Sequence, residues 1–82
     1  MKVATLYRGL SLHTDVIYYD EIRRYSSGVK VEKDGWFTQR IALDPEYYAL
    51  EAEAEERSLV LGRQLIDKHL TNSEVLSFDY SE

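Results

Sequence analysis

The sequence predicts an α+β fold, a single small domain in which an antiparallel sheet packs against one long helix. The chain has 82 residues, of which 44% are apolar and 30% charged, a balance typical of one globular domain. Short runs of alternating apolar residues indicate strands, and one longer segment, residues 44–70, carries helix signals. We therefore expect residues 1–82 to fold as one unit.

Residues 44–70 carry the most consistent helix signals of the chain. Asp44 can accept hydrogen bonds from the free N–H groups of a first turn, Pro45 misses no N–H bond there, and Glu46 faces the positive end of the helix dipole. No later proline interrupts the segment, so we expect one unbroken helix. Gly62 costs about 1 kcal/mol relative to alanine, so it either marks a break or lets another backbone approach closely.

At 100° per residue, the apolar side chains of this helix form two stripes instead of one. One stripe can cover the sheet, whereas the other needs a second neighbour in the same chain or in another molecule. We therefore expect a homodimer that uses the second stripe. The first stripe consists of Tyr47, Leu50, Ala54, Leu61 and Leu65, and the predicted dimer residues of the second are Tyr48, Ala52, Leu59 and Ile66.

Three other segments are assigned from their apolar patterns. Residues 2–8 are largely apolar on both faces, which predicts an internal first strand, and residues 74–80 alternate, which predicts a last strand. Residues 11–27 are ambiguous. We favour a helix capped by Thr14, and the competing interpretation is a strand through residues 16–19.

Residues 29–43 are predicted to form a hairpin. Lys33-Asp34-Gly35 fits a three-residue loop with the glycine in the left-handed position, which places Val31 opposite Phe37. In that register one face of the hairpin is apolar and turns toward the core. This face consists of Val29, Val31, Phe37, Ile41 and Leu43.

The resulting element order is β-α-β-β-α-β. Its commonest compact arrangement is a four-stranded antiparallel sheet with both helices on one face, the ferredoxin-like split βαβ arrangement. If residues 11–27 are not helical, the alternative is a small sheet crossed by one helix.

The net charge of −5 is concentrated in the second half of the chain. Residues 44–56 hold six acidic and no basic residues, which disfavours direct binding of nucleic acid because phosphates need cations. The acidic run lies beside tyrosines, which supply large contact areas in interfaces. It is either a solvated helix face or a surface for a basic protein, and the predicted interaction residues are Glu46, Tyr48, Glu51, Glu53, Glu55 and Glu56.

No catalytic or metal-ligand pattern stands out. The chain lacks cysteine, its four glycines are isolated, and His13 and His69 are not at ligand spacing. We therefore expect no metal, no cofactor and no enzymatic activity from these patterns. A charged residue precedes any secretion-type apolar run, and no segment approaches the length of a membrane span, so we expect a cytoplasmic protein.

Three short motifs resemble those of ADP-ribosyltransferases. Leu6-Tyr7-Arg8-Gly9 resembles that family's arginine-bearing strand, Gly35-Trp36-Phe37-Thr38 its strand with a hydroxyl residue, and Glu74-Val75-Leu76 its glutamate-bearing strand. The resemblance implies that Arg8 would hold a phosphate or ribose of NAD, Thr38 would shape the nicotinamide pocket, and Glu74 would bond the ribose. The family's Ser-Thr-Ser is here Phe37-Thr38-Gln39, so the resemblance implies a reduced, inactive relative.

The leading hypothesis is a small acidic module that binds a basic, nucleic-acid-binding protein, in the manner of compact phage-type inhibitors. This analogy rests on size and charge. The alternatives are an NAD-binding relative of ADP-ribosyltransferases and a domain that acts chiefly by self-association.

Overall fold

The computed structural model describes residues 4–72 and 75–81, with the side chains of Leu43 and Asp44 left out of the description. It contains seven strands and one helix within those residues. The elements are β1 (Ala4–Tyr7), β2 (Leu10–Thr14), β3 (Ile17–Tyr19), β4 (Arg24–Lys33), β5 (Trp36–Phe37), β6 (Ile41–Tyr48), α1 (Glu51–Thr71) and β7 (Tyr80–Ser81).

Among the described residues every strand pairing is antiparallel, and β4 lies at the centre of the sheet. One edge of β4 pairs with β2 and β3, and its other edge pairs with β5 and β6. β1 extends the sheet beyond β2, and β7 extends it beyond β5. The predicted α+β class, an antiparallel sheet with one long helix, is therefore confirmed.

Helix α1 packs against the sheet along a line of mostly small side chains. Leu59 and Leu65, from the two predicted apolar stripes, flank this line and pack partly against the core. Members of both stripes therefore contact the core, because small residues between them let the helix lie close to the strands. The helix is unbroken, as predicted. Its buried residues are Ala54, Ser58, Gly62 and Ile66.

Residues 11–27 are not helical, so the predicted first helix and the ferredoxin-like order are wrong. They contain most of β2, all of β3 and the start of β4. Thr14 does not cap a helix, because it is fully buried opposite Val29 in the sheet. The β-branched and aromatic residues that follow pair with β4, which outweighs the local helix signals. The alternative of a sheet crossed by one helix matches the structure.

The predicted helix start at Asp44 is also wrong. Strand β6 continues through Pro45 to Tyr48, and the helix begins at Glu51. Proline is tolerated there because the register between β4 and β6 shifts at this point, so no regular ladder bond is lost. The Glu53 carboxylate accepts a hydrogen bond from the Leu50 N–H (3.2 Å), which satisfies one free donor at the true helix start.

The hairpin is present, but its loop has two residues instead of three. Asp34 and Gly35 both have positive φ angles, 53° and 84°, as a type I′ turn requires. This turn pairs Glu32 with Phe37. Phe37 therefore lies on the face away from Val31, where its ring centroid is 5.3 Å from that of His13. The predicted core face of the hairpin is wrong at Phe37.

The first and last strands differ from the predictions. Within the described chain, β1 pairs only with β2, so it is an edge strand and not an internal one. Leu6 consequently remains 75% exposed. In the last segment Leu76 is buried and Phe78 is half-buried, as predicted, but the strand is limited to β7 and Tyr80 is exposed. Residues 2, 3 and 74 of these predicted strands lie outside the described residues.

An interruption separates β2 from β3, although their register against β4 is the same. The Asp15 N–H still donates to the Gly28 carbonyl (2.8 Å). The Gly28 N–H instead donates to Ser58 Oγ of the helix (3.1 Å), and Arg40 Nε donates to the Asp15 carbonyl (3.0 Å). A helix hydroxyl and a guanidinium therefore replace one reciprocal ladder bond, and the Ser58 contact fixes the helix over the centre of the sheet.

Candidate interaction surface

Five tyrosines lie at one end of the sheet, where β3, β4 and β6 run side by side. Tyr25 of β4 is opposite Tyr18 on one side and opposite Tyr48 on the other. The rings of Tyr18 and Tyr25 are 4.8 Å apart between centroids, and those of Tyr19 and Tyr47 meet edge to face at 5.7 Å. We call these five residues the tyrosine end.

The tyrosine end is largely open to solvent. Tyr47 is 52% exposed and Tyr18 is 47% exposed. Two aliphatic side chains next to it in the chain, Ile22 in the β3–β4 turn and Leu50 before the helix, are also exposed. Exposed apolar side chains are normal when scattered, but a group gathered at one end of a sheet, here from β3, β6 and the segments next to them, is typical of an interaction surface.

Exposed carboxylates from three elements accompany the tyrosine end. They come from the β3–β4 turn, from β6 beside Tyr47, and from the first turns of α1. Tyrosine anchors with a charged rim are the usual composition of a protein interface. The exposed acids are Asp20, Glu21, Glu46, Glu53 and Glu56, and the basic residues in the same segments are Arg23, Arg24 and Arg57.

The structure brings together three of the predicted interaction residues. Tyr48, Glu53 and Glu56 line one shallow hollow of about 250 Å³, together with Arg57 and Val60. This hollow joins the helix start to the tyrosine end.

Two other predicted interaction residues face the sheet instead of solvent. Glu51 and Glu55 are half-buried, and the Oε1 atom of Glu55 is buried without a hydrogen-bond partner among the described residues. They lie on the sheet-facing side because the helix packs by the line between its apolar stripes. The exposed acidic surface is therefore narrower than the sequence predicts.

The predicted dimer surface is partly buried within the chain. Ile66 is fully buried in the core, so its assignment to a dimer interface is wrong, and Leu59 packs partly against the same core. Ala52 is exposed and Tyr48 is half-buried. The homodimer stays a prediction, and Tyr48 and Ala52 are the residues that remain for it.

Arg8, the proposed NAD-binding arginine, is engaged by the helix. Its Nη1 atom donates to Asp67 Oδ1 (2.9 Å), and the Tyr7 hydroxyl donates to the same oxygen (2.9 Å). The hydrogen bonds from Arg8 and then Tyr7 lower the pKa of Asp67, and the Asp67 contact raises the pKa of the Tyr7 hydroxyl. This cluster attaches the β1–β2 turn to the last third of α1.

The structure does not bring Arg8 and Thr38 together. Thr38 is buried, and its hydroxyl accepts from the Val31 N–H (3.0 Å) and donates to the Gln39 carbonyl (2.9 Å). Strands β2 and β4 lie between β1 and β5, which separates the two by roughly 14 Å at about 4.8 Å per strand. Glu74 lies outside the described residues.

NAD binding stays a prediction that calorimetry can test. Saturable heat that is lost in Arg8→Ala would support it. The absence of heat at millimolar NAD would remove it.

Neither a metal centre nor a membrane span is found in the described part of the chain. No group of three or more histidine, cysteine or acidic side chains there could hold a metal ion. His13 pairs with Glu32 (3.0 Å), and His69 Nδ1 accepts from the Leu76 N–H (3.2 Å). No helix among residues 4–72 and 75–81 is long and apolar enough to cross a membrane.

The part of the surface formed by β3 and the β3–β4 turn was not predicted from the sequence. Tyr18, Tyr19 and Ile22 were assigned to a helix, so their position beside Tyr47 could not be foreseen. The signal that could have found them is the run of β-branched and aromatic residues at 16–19, which is typical of a strand.

Two comparisons with known proteins complete the description of the chain. A search of curated proteins finds no match. A family model described as "Uncharacterized protein-like" matches residues 1–79. Because this match covers nearly the whole chain, the protein belongs to that Uncharacterized protein-like family.

Proposed function

We propose that the protein is a small acidic protein-interaction module that binds a basic partner protein through the tyrosine end. One observation supports this most directly: the exposed tyrosines of β3 and β6, which flank β4, lie at the same end of the molecule as exposed carboxylates from three elements. Tyrosines give large contact area at a low entropy cost, and a charged rim selects a partner of opposite charge.

The proposed partner is a nucleic-acid-binding protein, because such proteins present the basic surfaces that an acidic rim recognises. In this proposal the module acts in the cytoplasm as an inhibitor of the phage type, occupying a surface that would otherwise contact phosphates. The size and charge of the chain support this class of function by analogy.

Comparative capture from a lysate of the source organism tests the proposal. The bait proteins are the wild type, Tyr47→Ala within the tyrosine end, and Tyr80→Ala as a matched control, since Tyr80 is similarly exposed but lies on β7. We expect a basic protein to be captured by the wild type and by Tyr80→Ala, and to be depleted with Tyr47→Ala. Truncation of a central aromatic anchor typically costs about 2 kcal/mol or more, roughly a 30-fold loss of affinity.

Two outcomes would contradict the proposal. One is equal capture by all three baits, which would show that the tyrosine end is not the contact surface. The other is a captured partner whose binding does not depend on salt concentration, since an acidic rim acts through screened electrostatics.

A further inference from the structure

Within the described residues, the tyrosine end includes an unpaired edge of the sheet. Strand β1 pairs with residues 10–13 of β2, and within residues 4–72 and 75–81 no strand pairs with the outer edge of β3. The inner edge of β3 pairs with β4. An unpaired edge presents a row of backbone donors and acceptors, which is a template for an added strand.

The hydrogen-bond pattern identifies which backbone groups face outward. The Asp15 N–H donates to the Gly28 carbonyl, and the same register places Ile17 opposite Ser26. Inward and outward groups alternate along an antiparallel strand. The N–H and C=O groups of Val16 and Tyr18 therefore point away from β4, toward the open edge.

This edge lacks the features that normally protect a strand edge. Proteins commonly block edge pairing with proline or charged residues. Strand β6, which pairs only with β4 in the described chain, carries Pro45 and Glu46. Residues 16–19 contain neither proline nor charge, and all four are β-branched or aromatic. The two outer edges at this end of the sheet thus differ in their capacity to accept a strand.

We propose that β3 accepts an extended, basic segment of the partner protein as an additional antiparallel strand, bonded to the backbone of Val16 and Tyr18. This inference rests on the proposed function and specifies how the partner is held. Backbone pairing supplies affinity in such complexes, and side-chain contacts on alternate positions supply specificity. The exposed ring of Tyr18 lies beside the added strand and can contact its side chains.

The charges around the edge favour a basic segment over a second copy of this chain. The exposed acids Asp20 and Glu21 follow the edge, whereas the Asp15 carboxylate before it is largely buried beside Arg40 (3.7 Å). Residues 14–21 hold no lysine or arginine, so a second copy paired along this edge brings no such cation to Asp20 and Glu21. A lysine-bearing strand instead meets opposite charge at Asp20 and Glu21.

Nuclear magnetic resonance with a designed peptide tests this inference. The probe is a capped ten-residue peptide in which lysine alternates with threonine, and the matched control peptide has glutamate in place of lysine. At ten times the Kd of the lysine peptide, mass action predicts roughly tenfold slower hydrogen exchange at the Val16 and Tyr18 amides. The Ile17 amide, already bonded to β4, should change little, and the glutamate peptide should have no effect.

Two changes to the backbone separate strand addition from contact by side chains alone. Val16→Pro removes an outward N–H without removing a bond to β4, so it should abolish the protection of Tyr18, whereas Val16→Thr should retain it. If Val16→Pro fails to fold, the lysine peptide methylated on alternate backbone nitrogens provides the same test on the wild-type protein. It should no longer protect either amide.

Three results would overturn the inference, and they have different consequences for the proposed function. Peptide-induced shifts of tyrosine side chains without slower exchange at Val16 and Tyr18 would exclude strand addition and leave the proposed function standing. No perturbation anywhere at millimolar lysine peptide would count against both. Protection of the two amides without peptide, increasing with protein concentration, would identify a second copy as the occupant.

Discussion

Replacing Gly62 by alanine should destabilise the protein, although alanine is the better helix former. A Cβ atom at this position would lie 2.7 Å from Cδ1 and 2.9 Å from Cδ2 of Leu12, and 3.1 Å from Cγ1 of Val29. Both neighbouring side chains are fully buried, so neither can move away without displacing other core atoms. The steric overlap therefore determines the sign of the effect.

The expected magnitude follows from two opposing contributions. Alanine is favoured over glycine in a helix interior by about 1 kcal/mol. Overpacking a well-packed core typically costs about 1–3 kcal/mol, and two of the three new contacts are shorter than 3.0 Å. Because of these two short contacts we take the upper part of that range, about 2–3 kcal/mol, so we expect the free energy of unfolding to fall by about 1–2 kcal/mol. This change lowers the Tm by roughly 4–16 °C in a domain of this size.

Urea denaturation followed by circular dichroism measures this change. Gln64→Ala, at an exposed position of the same helix, is the matched control and should change stability by less than about 0.5 kcal/mol. In a Leu12→Val background both Cδ atoms are absent, so Gly62→Ala should become neutral or stabilising. A stabilising Gly62→Ala in the wild-type background, or equal effects in both backgrounds, would refute the close packing of helix and sheet.

Asp67 should contribute to acid sensitivity, because its pKa is lowered by the hydrogen bonds from Arg8 and Tyr7. Its contribution to the free energy of unfolding is present above the unfolded-state pKa of about 4 and is lost as pH falls through the lower folded-state pKa. Asp67→Asn should therefore flatten the decline of the urea midpoint below about pH 4. An unchanged decline would contradict this. Glu55→Met should stabilise the protein by about 1 kcal/mol, since it removes a buried carboxylate oxygen without a described partner. Glu56→Met, at an exposed position, is the control and should have little effect. A loss of stability in Glu55→Met would show that this carboxylate has a hydrogen-bond partner. If the predicted homodimer uses Tyr48 and Ala52, light scattering at tens of micromolar should give a dimer mass for the wild type and a monomer mass for Ala52→Glu. A monomer mass for the wild type would exclude the dimer.

The parts of the fold that were predicted correctly depend on local patterns. Helix α1 is confirmed as one unbroken helix because its periodicity extends over many turns. The Asp34-Gly35 turn was located correctly, although both residues adopt positive φ and the loop is one residue shorter than predicted. The fold class and the long helix can therefore be predicted from hydrophobic periodicity, and the hairpin from its turn residues.

The parts that were missed depend on distant partners. Thr14 is a good helix cap in isolation, but in the fold it lies opposite Val29 in the sheet. Asp44-Pro45-Glu46 is a good helix start, but pairing of Tyr47 and Tyr48 with β4 extends the strand past it. In both segments strand pairing outweighs a cap worth about 1 kcal/mol.

The candidate surface was half predicted for the same reason. The acids and tyrosines at the start of the helix were identified from charge and composition. The tyrosines of β3 were not placed beside them, because residues 18–19 and 47–48 are nearly thirty residues apart in sequence. They come together because β3 and β6 pair with opposite edges of β4. Burial of Glu51 and Glu55 likewise required knowledge of which helix side faces the sheet.

The central claim, that the tyrosine end with its acidic rim binds a basic protein, is tested most directly by binding kinetics against the captured partner at two salt concentrations. We expect the double variant Glu53→Gln, Glu56→Gln to associate more slowly and with weaker salt dependence, and Tyr47→Ala to dissociate faster, while Tyr80→Ala matches the wild type. Unchanged association of the double glutamine variant at low salt, together with unchanged dissociation of Tyr47→Ala, would contradict the claim.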